Sequence, residues 1–177
     1  MKKTIGVFAL VPALLAGSAQ LAVAEDVVFG ASLPMTGGLA INGQKHKEGY
    51  ELCMDLINAN GGLLGGQAKV IISDNQSSNE TGQAQIERLI NQDKVNVLLG
   101  TFSSRITFAQ TSVAEQNKMV YPVPSGVALQ IYERGYHYIF NFQPNAAEYL
   151  GKSYEGLMKD LVPADQMPKK AAVASET

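Results

Sequence analysis

The sequence predicts an α/β protein built on a doubly wound parallel sheet. Short apolar runs alternate with longer amphipathic segments, which is the order of strands and helices in such a sheet. Several runs are apolar at consecutive positions, as in Val70-Ile71-Ile72, and this is typical of strands covered by helices on both faces. Because Cys53 is the only cysteine, no disulfide can form within the chain, and its stability must come from a packed core.

Each element follows from a local pattern. The apolar runs predict strands at 27–31, 69–73, 95–100, 119–123 and 137–142. Helical periodicity predicts helices at 44–58, 77–92, 105–117 and 146–161, with about two helical turns at 127–133. Tyr50, Cys53, Met54 and Ile57 form one apolar face of the first helix, which Leu52 and Leu56 widen. Ser77 and Glu80 have capping-box spacing and open the second helix.

The N-terminus has the three regions of a secretory signal peptide. Lys2 and Lys3 precede an apolar run at 5–15, and Ala22-Val23-Ala24 provides the small residues of a cleavage site. The run is too short for a permanent membrane span, although a buried or anchoring helix is the alternative. We therefore expect residues 1–24 to be a signal peptide and the mature protein to begin at Glu25 in the periplasm.

The pattern changes after residue 142. Gln143-Pro144-Asn145 interrupts the alternation, a helix is predicted at 146–161, and a further strand begins at 171–174. A last strand without a neighbour indicates an incomplete sequence. We expect residues 25–142 to form one lobe, with 143–177 as a crossover and the start of a second, truncated lobe.

Charge and composition argue against several classes of function. Without Lys2 and Lys3 the chain has 12 basic and 16 acidic residues, a net charge of −4. A mildly acidic protein is not expected to bind nucleic acid. His46 and His137 are isolated in the sequence and read as surface residues without partners, so we expect no metal, no cofactor and no catalytic residue.

Two serines are the first candidates for a binding site. Ser103 and Ser104 follow the third strand and precede the third helix. A helix N-terminus presents unpaired N–H groups with a partial positive charge, and two hydroxyls add donors, so this point suits a carboxylate. The alternative is that one serine merely caps the helix.

Four segments resemble the leucine/isoleucine/valine-binding proteins of ABC importers, which have the type 1 periplasmic-binding fold. They are GASLPMTGG at 30–38, DLINANGGLLGG at 55–66, LLGTFSS at 98–104 and ERGYHYIF at 133–140. The resemblance implies a monomer whose two lobes close on a small amino acid or a related carboxylate or amide, and which delivers it to a membrane permease. It places Ser104 on the ligand carboxylate, with Ser125, Gly126, Val127 and Asn42 along the pocket. Asn42 could equally cap the first helix, and Ser125-Gly126 could be an ordinary turn.

The sequence departs from amino-acid binders at two positions. The resemblance places partners of the ligand ammonium at Val127 and Ala146, and both are apolar. A buried ammonium without partners is very costly. Either the second lobe supplies the partners, or the ligand is a carboxylate or amide with an apolar body and no α-ammonium, such as an aromatic acid.

Two other classes of function are compatible with an α/β fold: an enzyme and the sensor domain of a receptor. A dinucleotide-binding enzyme would need Gly-x-Gly-x-x-Gly after the first strand, which residues 30–38 lack. A serine hydrolase would need Gly-x-Ser-x-Gly, and residues 100–104 end on Ser104 instead of glycine. The extracytoplasmic sensor domain of a receptor shares the fold and the cleft, and it remains the main alternative to an importer component.

Overall fold

The computed structural model describes residues 24–170 and 172. The predicted signal peptide, apart from Ala24, and the strand predicted at 171–174, apart from Ala172, lie outside the described residues. The strands are β1 (Val27–Leu33), β2 (Ala68–Asp74), β3 (Val97–Leu99), β4 (Tyr121–Val123) and β5 (Ile139–Asn141). The helices are α1 (Ala40–Ala59), α2 (Asn79–Asn91), α3 (Ser104–Gln116) and α4 (Ala146–Leu161), with single 3₁₀ turns at Leu129–Ile131 and Ala164–Gln166.

The pairings among these five described strands are all parallel, which confirms the predicted fold class. β1 pairs with β2 on one side and with β3 on the other, while β4 pairs with β5. Leu98 N–H donates to Val120 O over 3.3 Å, so the two groups of strands abut in the order β2-β1-β3-β4-β5. From β1 the chain adds β2 on one side and then β3, β4 and β5 on the other, so the direction in which strands are added reverses at β1. Since parallel crossovers are right-handed, this reversal places α1 and α2 on opposite faces of the sheet.

The main core lies between the sheet and the helices α2 and α3. Eight buried residues make up its central cluster: Ile86, Leu89, Val95, Leu98, Val113, Ala114, Tyr121 and Val123. Helix α1 packs separately, against β1 and β2. This arrangement confirms the interpretation of the apolar runs as strands buried on both faces.

A chain of buried polar side chains crosses this core. The phenol of Tyr121 donates to Gln110 Oε1, and Gln110 Nε2 donates to Ser32 O over 3.1 Å. Asn75 Nδ2 donates to the same carbonyl over 3.0 Å. Burial raises the pKa of Tyr121 well above its ordinary value, so the phenol stays protonated and remains a donor.

Helix α1 differs from its prediction at both its start and its face. It begins at Ala40, a turn before residue 44, and its fourth residue, Gly43, lies against Pro34. Met54 is buried as predicted, whereas Cys53 is exposed. The predicted widening of the face was wrong as well, because Leu52 and Leu56 are 59% and 57% exposed. The helix packs on one narrow line of residues, with glycine at the closest approach.

The cap of α2 was predicted one residue too early. Ser78, not Ser77, is the N-cap: its hydroxyl accepts from Thr81 N–H over 3.2 Å and donates to Glu80 over 3.0 Å. Ser77 instead has a positive φ of 60° and donates to Thr36 O over 2.7 Å. It thereby ties the loop after β2 to the loop after β1.

Other segments are shorter than predicted, because their amides bind side chains. Glu115 accepts from the backbone N–H groups of His137 and Tyr138, so β5 begins only at Ile139. The two helical turns predicted at 127–133 shrink to one 3₁₀ turn, Leu129–Ile131. Among the described residues, no helix combines the length and apolarity needed to cross a membrane.

Helix α4 spans Ala146–Leu161, which confirms its predicted bounds. Asn145 caps it, accepting from Glu148 N–H over 3.0 Å. None of its described residues is buried. Its large exposed apolar side chains are Tyr149, Leu150, Tyr154, Leu157 and Leu161.

Candidate functional site

A cavity opens at the carboxyl edge of the sheet, where ligands bind in open α/β sheets. Its volume is about 500 Å³. The loops after β1, β3 and β4 line it with Leu39, Phe102, Ser103, Ser104, Arg105, Ser125 and Val127. The structure therefore brings together Ser103, Ser104, Ser125 and Val127, which the sequence analysis had named from two separate loops.

A second cavity of about 340 Å³ adjoins the first, because Phe102, Ser125 and Val127 line both. Its remaining lining residues come from the crossover and from α4: Gln143, Ala146, Tyr149 and Leu150. Ala146 N–H donates to Val127 O over 2.8 Å. The two apolar positions at which the sequence departs from amino-acid binders are thus joined directly by a backbone hydrogen bond.

Ser103 has a strained backbone conformation with a positive φ. Its φ is 80° and its ψ is 122°, in a region that residues other than glycine rarely adopt. It stands at the N-cap of α3, yet its side chain makes no capping hydrogen bond. For Ser103, side-chain capping was therefore the wrong alternative. Its strained conformation makes the turn by which the chain enters α3 at the edge of the cavity.

The Ser104 hydroxyl holds the neighbouring loop. Its oxygen accepts from the backbone N–H groups of Val127 and Ala128, both over 3.2 Å. A serine hydroxyl has two acceptor sites and one donor, so these bonds leave its proton to donate elsewhere. Because Ser104 lines the cavity, this proton is available to an acceptor inside the cavity.

Ser125 has a partner that the sequence analysis missed. Nε2 of His46 lies 2.9 Å from Ser125 Oγ, and Nδ1 of His46 lies 2.9 Å from Asn42 O. The interpretation of His46 as a surface residue without partners was wrong: its ring is partly buried and approaches Phe102 edge-on, with 6.2 Å between ring centroids. The two residues are 79 positions apart, so no local pattern could reveal the contact.

This hydroxyl–imidazole contact is also the pairing that serine hydrolases use. In a catalytic triad a carboxylate holds Nδ1 and stabilises the imidazolium that forms. Here a neutral backbone carbonyl, that of Asn42, holds Nδ1. The pair is therefore better suited to orienting a hydroxyl than to removing its proton.

Gly126 and Asn42 do not line either of these two cavities, but both contact residues that do or that support them. A Cβ on Gly126 would come within 3.0 Å of Ile131, Thr107 and Val123, so this glycine packs on the core, and its carbonyl accepts from Tyr132. Asn42 is the third residue of α1, so the alternative of a cap was wrong, since Leu39 occupies that position. Asn42 acts on the cleft through its carbonyl, which holds His46.

Arg105 and Leu39 line the cavity although the sequence analysis did not name them. Arg105 is exposed and adds a positive charge beside Ser103 and Ser104. Because Arg105 directly follows Ser104 in the sequence, its place beside the predicted binding site could have been inferred. Tyr50 supports the same wall by donating to Gly100 O over 2.6 Å, and burial raises the pKa of Tyr50, so it remains a neutral donor.

Asp74 fixes the loop after β1 beside the cavity. Its carboxylate accepts from the N–H groups of Met35, Thr36 and Gln76 over 2.9, 3.1 and 2.8 Å, and from the Thr36 hydroxyl over 2.7 Å. Partial burial raises the pKa of Asp74, but the hydrogen bonds from Gln76 and Thr36 outweigh it, so the pKa lies below its ordinary value.

This carboxylate should make part of the stability dependent on pH. Its native pKa is below that of the unfolded chain, so its contribution is present above about pH 4 and is lost as the pH falls through the native pKa. We expect Asp74→Asn to be less stable at pH 7 and to lose less on acidification than the wild type. Urea unfolding between pH 7 and pH 3 measures this, with the exposed Asp160→Asn as control. Parallel pH profiles for Asp74→Asn and the wild type would contradict it.

The fold and the site together define an α/β protein with a cavity at the carboxyl edge of a parallel sheet, the edge at which ligands bind in proteins of this architecture. A family model described as periplasmic binding protein matches residues 26–164. The chain therefore belongs to the periplasmic binding protein family, and its fold is the type 1 periplasmic-binding fold.

Two relatives are Leu/Ile/Val-binding protein homologs of Brucella suis biovar 1 (strain 1330). Homolog 8 is 33% identical over 150 residues, covering 84% of this chain and 37% of its own length. Homolog 7 is 32% identical over 170 residues, covering 94% of this chain and 42% of its own length. The chain thus spans about two fifths of the length of these curated relatives.

Two solved structures are similar at 26% identity. One is the branched-chain amino acid transporter substrate binding protein LivJ from Streptococcus pneumoniae str. Canada MDR_19A in complex with isoleucine. Its TM-score is 0.71, over 77% of this chain and 39% of LivJ. The other is a solute binding protein of an ABC transporter from Rhodopseudomonas palustris BisB5 in complex with 3,4-dihydroxybenzoic acid, with a TM-score of 0.63 over 70% of this chain and 33% of that chain.

Proposed function

We propose that this protein is the periplasmic substrate-binding component of an ABC importer. It captures a small carboxylate or amide with an apolar body in a cleft between the described lobe and a second lobe. The observation that carries this proposal is the arrangement at Ser103 and Ser104: a strained serine, a hydroxyl with a free proton and the N-terminus of α3 line one cavity.

The chemistry of the cavity supports an anionic or carbonyl oxygen at this point. Unpaired N–H groups at a helix N-terminus carry partial positive charge and favour a carboxylate. The Ser104 proton adds a directed donor, and Arg105 adds a full positive charge on the same wall. Each of these groups is complementary to a ligand oxygen.

The neighbouring wall supports an apolar ligand body. Phe102, Val127, Ala146, Tyr149 and Leu150 surround the second cavity, with Gln143 as a polar exception. Val127 O accepts from Ala146 N–H, and the apolar side chains of Val127 and Ala146 offer no acceptor to an ammonium group. The two similar structures contain isoleucine and 3,4-dihydroxybenzoic acid, and both of these ligands carry a carboxylate. Isoleucine also carries an ammonium group, whereas 3,4-dihydroxybenzoic acid does not.

The domain organisation, location and partners are parts of the same proposal. Residues 25–142 form the ligand-binding lobe, and 143–177 form the crossover and the start of the second lobe, whose contacts would cover the exposed apolar face of α4. The signal peptide at 1–24 exports a monomer to the periplasm, where it delivers its ligand to a membrane permease and catalyses no reaction. The membership in a family of periplasmic binding proteins supports this role.

Replacing Ser104 tests the proposal. We expect Ser104→Ala to weaken binding by about 1–3 kcal/mol, because the ligand oxygen loses a donor and two loop amides lose their acceptor. Calorimetry of the full-length protein against isoleucine, leucine, 3,4-dihydroxybenzoate and aliphatic acids identifies a ligand and measures the change.

Ser112→Ala is the matched control, because Ser112 lies two turns further along α3 and its hydroxyl bonds to Phe108 O. Its affinity should equal that of the wild type. Unchanged affinity in Ser104→Ala would reduce Ser104 to a residue that only holds the loop. Tight binding of leucine with no response to the acids would contradict the proposed ligand class.

A further inference from the structure

His46 and Ser125 form a hydroxyl–imidazole pair on the cleft wall, and the proposed function does not yet use it. His46 belongs to α1, and Ser125 belongs to the loop after β4 and lines both cavities. Both ring nitrogens of His46 are engaged, one by Asn42 O and one by Ser125 Oγ, each over 2.9 Å. A flipped ring would place carbon atoms against both oxygens, so the contacts fix the orientation of the ring.

The contact with Asn42 determines which nitrogen carries the proton. A backbone carbonyl can only accept, so Nδ1 of His46 must donate to it. A neutral imidazole has a single N–H, which leaves Nε2 as an acceptor. The group facing Nε2 is the Ser125 hydroxyl, and it must therefore donate its proton to His46.

This arrangement gives Ser104 and Ser125 opposite roles. Ser104 uses its oxygen to accept from the amides of Val127 and Ala128, and it offers a proton to the cavity. Ser125 uses its proton on His46, and it offers the lone pairs of its oxygen. The wall thus presents a donor on one loop and an acceptor on the next.

We propose that His46 is a specificity-determining residue that turns the Ser125 hydroxyl into a hydrogen-bond acceptor for the ligand. The cleft then selects ligands in which a neutral O–H or N–H donor accompanies the carboxylate or carbonyl oxygen, as in hydroxy acids and primary amides. This inference rests on the proposed function and narrows its ligand class.

The surroundings favour a neutral donor over an ammonium group. Ser125 offers an uncharged oxygen, and the charged side chain on the same wall, Arg105, is positive. Val127 and Ala146 add no charge, and a buried ammonium needs a compensating partner. The rings of Phe102 and Tyr50 approach the His46 ring edge-on at centroid distances of 6.2 and 6.1 Å, so His46 is packed between α1 and the cavity wall while its Nε2 contacts Ser125.

The orientation of the Ser125 hydroxyl can be tested without a ligand. Long-range ¹H–¹⁵N NMR on the full-length protein at neutral pH reports which nitrogen of His46 is protonated. We expect the Nδ1–H form in the wild type and also in Ser125→Ala, because Asn42 O sets it. His137, whose side chain is 86% exposed, serves as the internal reference. The Nε2–H form of His46 in the wild type would overturn the inference.

Matched ligand pairs test the selectivity. In each pair a hydroxyl is exchanged for a carbonyl on the same skeleton: 2-hydroxy-4-methylpentanoate with 4-methyl-2-oxopentanoate, and mandelate with phenylglyoxylate. We expect the wild type to bind the hydroxy acid about tenfold more tightly, because the oxo oxygen would face the lone pairs of Ser125. In His46→Phe the ratio should approach one, since the freed hydroxyl can rotate and donate to the oxo group.

The outcomes separate this inference from the proposed function. His137→Phe should keep the wild-type ratio, because His137 lies outside both cavities. Equal affinities for the two members of a pair in the wild type, with the Nδ1–H form present, would overturn His46 as a specificity residue. If no member of either pair binds while the Nδ1–H form is present, the selection of hydroxy acids fails and this inference is overturned. Binding of 3,4-dihydroxybenzoate or an aliphatic acid would still support the proposed function.

Discussion

Replacing Gly43 with alanine should destabilise the protein by about 3 kcal/mol or more. A Cβ at this position would lie 2.0 Å from Pro34 O and 2.5 Å from Pro34 C. Neither atom belongs to a flexible side chain, so α1 or the loop after β1 must shift to make room, as in an overpacked core. Urea unfolding of the variant and the wild type measures the difference.

Gly49→Ala in the same helix is the matched control. Nothing lies within 4 Å of a Cβ at Gly49, so only helix propensity changes, and we expect a gain of about 1 kcal/mol. The two variants make the same chemical change with opposite expected signs. A Gly43→Ala variant as stable as Gly49→Ala would show that α1 does not depend on this close approach.

The substitution Gly43→Ala should also affect the cleft. Leu39 and His46 lie within four residues of Gly43, and both belong to the wall of the cavity or support it. A shift of α1 away from Pro34 would therefore also move His46 relative to the loop that carries Ser125. The close approach to Pro34 explains why a glycine lies near the start of α1, although glycine is unfavourable in a helix.

Tyr121→Phe should cost about 1–3 kcal/mol, because it leaves Gln110 Oε1 buried without its donor. Gln110→Met alone should cost a similar amount, since the Tyr121 hydroxyl then loses its acceptor. The double variant should lose clearly less than the sum of the two, because both members of the pair are removed together.

Loss of the Gln110 side chain does not leave the Ser32 carbonyl without a hydrogen bond, so the double-variant experiment reports mainly on the contact between Tyr121 and Gln110. This carbonyl accepts from Gln110 Nε2 and also from Asn75 Nδ2, so Gln110→Met leaves it with one donor. Thermal or urea unfolding of the four proteins gives the coupling energy of the pair. Additive losses would mean that the contact between Tyr121 and Gln110 contributes nothing specific to stability.

Much of the fold could be predicted from the sequence because it depends on local patterns. Strand burial on two faces follows from consecutive apolar residues such as Val70 to Ile72, and the bounds of α4 follow from helical periodicity between Asn145 and Val162. The cap of α2 shows the limit of such patterns. Ser77 and Ser78 are adjacent, and only the contact of Ser77 with Thr36 decides that Ser78 caps the helix.

For the candidate site as well, the sequence could predict local features but not contacts between distant segments. The sequence could place Ser103 and Ser104 at a helix N-terminus, because strand, turn and helix follow one another locally. It could not show that Ser104 accepts from Val127 and Ala128, which are more than twenty residues away. The hydroxyl was predicted as a ligand contact or a cap, and its contact with the neighbouring loop was missed.

By itself the sequence determined the parallel α/β architecture, the resemblance to a family of binding proteins and the serines at the carboxyl edge of the sheet. Only the tertiary structure decided which way each hydroxyl points. His46 and Ser125 are 79 residues apart and meet because α1 and the loop after β4 converge at one edge. Periodicity and capping record contacts within a few residues, whereas the direction of a proton depends on partners that folding brings together from distant segments.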